Sequence, residues 1–291
     1  MTTDVDLPVS GRKVAGSRAG GSAAGAPLVV ALHGGGYNRR YFDVPGHSLL
    51  DLGAATGFPV FSVDRPGYGG SAPLPGGATS FGDHAEALDD AIGALWAEHG
   101  EGRPGVVLLG HSIGSAIAVH VAARHPHWPL LGISIHGVGD RSPAHIVDAW
   151  RTLPAGGPVE LPAEQRRALL YGPEGTVDAG TVESAKVSVE AVPLEEMLEI
   201  VGGWPEQVAQ LAAAVIVPVQ YTLAEYDGLW VVEESRVAAF AGYFNAAPWV
   251  DARLQAGAGH NLDHHRLSRA LHLRQLAFAS ECAARMPAAR G

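Results

Sequence analysis

The chain has 291 residues, 47% hydrophobic and 17% charged, which suits one globular domain, or one domain with an inserted lid, around a sizeable core. Its formal net charge is −10 and no lysine or arginine cluster interrupts it, so nucleic acid and anionic membrane surfaces are poor partners. The lone cysteine, Cys282, excludes an internal disulfide, and no ligand cluster reads as a metal site or calls for a cofactor.

The N-terminal "MTTDVDLPVS" carries acids where a secretory leader needs a basic and then an apolar stretch, so the cytoplasm is the expected compartment. One or two edge strands and a Gly/Ser loop ending at Pro27 follow. "LVVALHGGG" is a continuous apolar run ending in glycines, the pattern of a strand buried on both faces. A helix is expected over about Ser48–Thr56, then a strand near Phe58–Val63 that runs into the turn "DRPGYGGS". Asp83–His99 places Ala87, Ile92, Leu95 and Trp96 near one face and acids on the other, an amphipathic helix. "GVVLLG" predicts the next strand, "SAIAVHVAARHP" a small-residue helix stopped by Pro126, and "LLGISIHGVG" another strand. This alternation predicts an α/β fold with a mostly parallel sheet.

After Gly139 the rhythm breaks. Residues 140–204 hold several prolines and short helical stretches, and read as a helical cap inserted into a core made of 1–139 and 205–291. The alternation resumes with a strand over Val215–Leu223, a helix near Glu233–Phe244, a strand near Trp249–Leu254 and a last helix over about Leu267–Ala284.

"GHSIG", Gly110–Gly114, falls between an apolar strand and a small-residue helix, the setting in which G-x-S-x-G exposes a nucleophile on a sharp turn. Its glycines let strand and helix backbones approach closely. The alternative is an ordinary serine N-cap at Ser112. In "LHGGGYNRRYFD" the glycines free backbone N–H groups. Gly35, with Gly34 as its neighbour, and the Ile113 N–H following Ser112 are the expected oxyanion donors. The absence of G-K-[ST] argues against a phosphate loop. A serine nucleophile needs a base and an orienting acid. Among 14 histidines, His260 stands in a glycine-rich loop after the last strand, with His264 and His265 as competitors. Asp227 lies just beyond a late strand, with Glu225 competing two residues earlier.

In the order and spacing of "HGGGYN", "DRPGYGGS", "GHSIG" and the late Asp and His segments, the chain resembles the α/β-hydrolase superfamily over nearly its whole length. The resemblance implies an eight-stranded, mainly parallel sheet flanked by helices, a helical cap and a Ser112–His260–Asp227 triad. It also implies a structural role for Asp64, a packing role for His111 and a loop-bracing role for His33. The sequence departs from the family pattern at Ala224, where a glycine commonly precedes the triad acid, so Glu225 and Asp227 both stay open.

The expected chemistry is hydrolysis of a carboxylic ester or thioester with a small-to-medium hydrophobic acyl group. Trp204, Trp230 and Met197 are candidate pocket residues. Elimination or cyclisation at the same site, thioesterase action on a carrier-bound chain and non-catalytic ligand binding are the alternatives. The sequence leaves the oligomeric state open.

Overall fold

The computed structural model describes residues 2–154 and 157–285. Strands β1 (Thr3–Val9) and β2 (Arg12–Ala19) make a hairpin through Ser10 and Gly11, both at positive φ (49° and 75°), as a tight two-residue turn requires. Strands and helices then alternate: β3 (Leu28–Leu32), α1 (Leu49–Thr56), β4 (Val60–Val63), α2 (Phe81–His99), β5 (Val106–His111), α3 (Ile113–Ala123) and β6 (Leu130–His136). The next stretch holds α4 (Ala144–Arg151), β7 (Pro158–Val159), α5 (Ala163–Leu170), α6 (Ala179–Ser184), β8 (Val192–Pro193), α7 (Leu194–Val201) and α8 (Gly203–Ala213). The main sheet resumes with β9 (Val219–Tyr226), α9 (Glu234–Gly242) and β10 (Val250–Gly259), and α10 (Ser268–Ala284) follows.

Eight strands form one sheet in the order β1-β2-β4-β3-β5-β6-β9-β10. The β1–β2 and β2–β4 pairs are antiparallel and the others parallel. β7 and β8 form a separate two-residue ribbon. Period-two alternation splits the central strands between two cores. Leu28, Val30, Leu32, Val106 and Leu108 face the layer of α2 and α3, while Val29, Ala31, Val107 and Leu109 face that of α1 and α10. Both faces are buried, which is why these strands are continuous apolar runs.

Several boundaries differ from expectation, some for a plain local reason. β9 starts at Val219 because Pro218 has no N–H to give a ladder; its carbonyl accepts from Ile133 N at 3.0 Å. α3 ends at Ala123, since the residue before Pro126 is pushed out of the α region and His125 takes φ 54°. α8 (Gly203–Ala213) packs on α3. Among the described residues, no helix is long and apolar enough to cross a membrane.

Candidate active site

Ser112 stands alone between β5 and α3 at φ 53°, ψ −121°, a conformation few non-glycine residues adopt. It occupies the N-cap position of α3, yet its side chain makes no capping hydrogen bond. An ordinary N-cap serine would spend its hydroxyl on the helix. Here the turn is held by other groups. Ser112 N donates to His136 O at 2.9 Å, and Ser115 Oγ lies 2.6 Å from Gly110 O. A Cβ on Gly114 would overlap the Leu32 carbonyl oxygen, and one on Gly110 would come 2.5 Å from Ser115 Cα. The two glycines are therefore a steric condition for bringing α3 back against β3 and β5.

The loop after β3 packs directly on this turn. A Cβ on Gly34 would lie 2.9 Å from Ser112 Cβ, and one on Gly35 would lie 2.7 Å from Ile113 Cδ1. His33 Nδ1 is 2.9 Å from Gly34 O, and its Nε2 accepts from Arg65 N at 3.0 Å. The second contact fixes the tautomer: Nε2 must be bare, so Nδ1 carries the proton and donates to Gly34 O. Burial and the nearby Arg65 charge push His33 well below the usual histidine range, in keeping with that neutral form. Asp64 is buried and accepts from Arg39 N, Arg39 Nη1 and Gly70 N, so it braces the turn.

Asp227 and His260 meet because β9 and β10 are parallel neighbours. Tyr226 pairs with Gly259, so each strand delivers its next residue to the same end of the sheet. A bulge between Gln255 and Gly259 sets that register. Asp227 Oδ2 lies 2.8 Å from His260 Nδ1, and its Oδ1 accepts from Leu229 N at 3.0 Å. Both side chains are buried. Glu225 is exposed and accepts from Gly257 N at 2.8 Å, bracing the bulge. His264 and His265 are committed elsewhere. His264 Nε2 reaches Tyr41 O at 2.9 Å, and His265 Nε2 accepts from Gly259 N at 3.0 Å.

Ser112, Ile113, Gly35 and His260 line one cavity of about 60 Å³. Its other walls are largely apolar and come mostly from the stretch between β6 and β9, with Trp150, Met197 and Ile200 among them. Trp230 also lines it, anchored by its indole N–H on Gly137 O at 3.0 Å. Trp204, expected in the pocket, is instead core: it is 1% exposed, donates to Gly139 O at 2.7 Å and lies outside the lining. Tyr37 and Val192 line the cavity without having been singled out, because nothing local marks them.

Sequence reasoning also missed a buried polar cluster beneath the site. Asp263 Oδ2 lies 2.6 Å from His136 Nε2 and accepts from Tyr41 OH at 2.9 Å, while its Oδ1 lies 3.0 Å from His272 Nε2. Burial alone would raise the Asp263 carboxyl, but His136 and His272 outweigh it and hold it well below the usual range. These residues are far apart in the chain, so only the fold unites them. Among the described residues, no group of three or more His, Cys, Asp and Glu side chains is arranged to hold a metal ion.

A model of the alpha/beta hydrolase family matches residues 29–274. Protein phosphatase methylesterase 1 of Mus musculus is 26% identical over 171 residues, 58% of this chain and 42% of that protein. A pimeloyl-[acyl-carrier protein] methyl ester esterase of Neisseria meningitidis is 38% identical over 98 residues, 34% of this chain and 32% of that one. The chain thus spans less than half the length of these relatives. Among solved structures, a putative aryl esterase from Burkholderia cenocepacia superposes with a TM-score of 0.69 at 15% identity, covering 97% of this chain and all of that one. With the strained serine turn between β5 and α3, the glycine loop packed against it and a family match over most of the sequence, the chain belongs to the alpha/beta hydrolase family.

Proposed function

We propose that the protein is a serine hydrolase that cleaves a carboxylic ester of a small-to-medium hydrophobic substrate through an acyl-enzyme on Ser112. The carrying observation is the Ser112 turn: its hydroxyl caps nothing, and the residue lines the same cavity as His260. In this reading His260 Nε2 takes the Ser112 proton, since Nδ1 is occupied by Asp227. Ser112 Oγ attacks the carbonyl, and His260 then protonates the leaving alcohol. Asp227 holds the imidazole in the required tautomer and offsets its charge once it is protonated. The N–H groups of Gly35 and Ile113 receive the oxyanion; the first N–H groups of an α-helix lack intrahelical partners. Water repeats the cycle on the acyl-enzyme.

The small apolar cavity supports a short acyl group, with residues 140–204 acting as the cap that shapes it. The two relatives are named for methyl ester cleavage, which supports a small alcohol as the leaving group. Phenyl and methyl esters of short acids are the test substrates. Turnover, and fluorophosphonate labelling at Ser112, are expected for the wild-type chain and are lost in Ser112→Ala. Ester turnover unchanged in Ser112→Ala sinks the reading.

A further inference from the structure

Arg65 follows β4 and is completely buried, an expensive place for a permanent cation. Its Nη2 donates to Glu196 Oε2 at 2.8 Å and, at 3.3 Å, to Gly34 O. Its Nη1 lies 3.0 Å from His84 Nδ1, which must be the acceptor because a guanidinium only donates. The Tyr68 ring lies 4.3 Å from the guanidinium carbon. Burial opposes the charge, but Glu196 outweighs it and keeps the guanidinium protonated. Glu196 belongs to α7, the helix whose Met197, Ile200 and Val201 line the cavity.

The Gly34 carbonyl and the Gly35 N–H are two ends of one peptide group. Whatever holds the oxygen sets the plane and polarisation of the N–H. Two donors converge on that oxygen, His33 Nδ1 and Arg65 Nη2. Stability is a weak explanation for the buried ion pair, because apolar replacements of such pairs are often equally stable. We propose that Arg65 is a positioning residue for the Gly34–Gly35 oxyanion peptide, and that Glu196 makes this positioning depend on α7 being seated over the site. The inference rests on the reading of Gly35 as an oxyanion donor. It assigns α7 two linked tasks: walling the acyl cavity and aligning the donor.

Glu196→Gln keeps the shape and removes the charge that holds Arg65. With a short phenyl ester, kcat is expected to fall about 10- to 100-fold with KM within about twofold, since the donor acts mainly on the transition state. The fluorophosphonate labelling rate should fall in parallel, and hydrogen exchange of the Gly35 amide, followed by NMR, should accelerate. Glu199→Gln is the control. Glu199 sits on the same helix and accepts from Phe81 N, away from Gly34, and its loss should leave kcat within about twofold. If Glu196→Gln does not fold, Arg65→Met with Glu196→Leu restores an apolar match and is expected to show the same kcat loss. A folded variant with wild-type kcat and wild-type Gly35 exchange overturns the proposal, as does an equal loss in Glu199→Gln. If the wild-type chain hydrolyses no ester, the functional reading fails separately, and Gly35 exchange still decides whether Arg65 and Glu196 order the peptide.

Discussion

Glu225 and Asp227 stand two residues apart, and nothing local separates them. What separates their surroundings is remote: the β10 bulge that pairs Gly259 with Tyr226 and so sets His260 beside Asp227. The same bulge occupies Glu225, which accepts from Gly257 N. The turn at Ser112 was legible for the opposite reason, because its strand, glycines and helix lie within one short stretch. Trp204 was misplaced because an aromatic residue in a helical stretch fits core and pocket equally well, and only the fold, which leaves it outside the cavity lining, shows which. The two acids make a sharp comparison. Asp227→Asn leaves the site filled but offers His260 Nδ1 an amide that favours the wrong tautomer. Its kcat for a phenyl ester should fall about 10³- to 10⁴-fold. Glu225→Gln, at the surface, should stay within about threefold. Steady-state kinetics on both decides the assignment; the reverse pattern would make Glu225 the orienting acid.

At the scale of elements, the parallel core was readable because strands buried on both faces are unbroken apolar runs, as in β3 and β5. The stretch between β6 and β9 was readable only in part: "PAEQRRALLYG" and "PLEEMLEIVGGW" read as helical and hold α5 and α7. Helices of six to eight residues are too short for periodicity to bound, and α4 and α6 gave no such signal, because they are stabilised by what they pack against. The β5–Ser112–α3 unit is the opposite case, since its geometry tolerates no added atom. Gly114→Ala would drive a methyl group into the Leu32 carbonyl, and is expected to cost about 3 kcal/mol. Gly180→Ala in α6 meets nothing within 4 Å and should be neutral or stabilising by about 0.5 kcal/mol. Paired urea melts measure both. A Gly114→Ala protein as stable as wild type would show that the turn has room the structure denies it.

The molecule as a whole buries several imidazoles, and this predicts how it responds to acid. Burial, with nearby charges, pushes His33 and His111 well below the usual histidine range. His264 and His265 are lowered to about 4 and His84 to about 3, again chiefly by burial. In the unfolded chain each titrates near 6.5, so between that pH and the folded value the unfolded state binds more protons. Their contribution is fully present above about pH 6.5 and is lost progressively as the pH falls toward 4. Glu199 works the other way. Burial raises it to about 7, so ionising it weakens the fold as the pH rises from about 4.5 to 7. One partly exposed carboxylate stands against several buried histidines, and the histidines dominate. The melting temperature should therefore fall steadily as the pH is lowered from 7 to 4.5, and Glu199→Gln should steepen that fall by removing the opposing group. Scanning calorimetry across this window measures both slopes. A wild-type melting temperature that holds level or rises on acidification would mean that the buried histidines take up protons in the folded state.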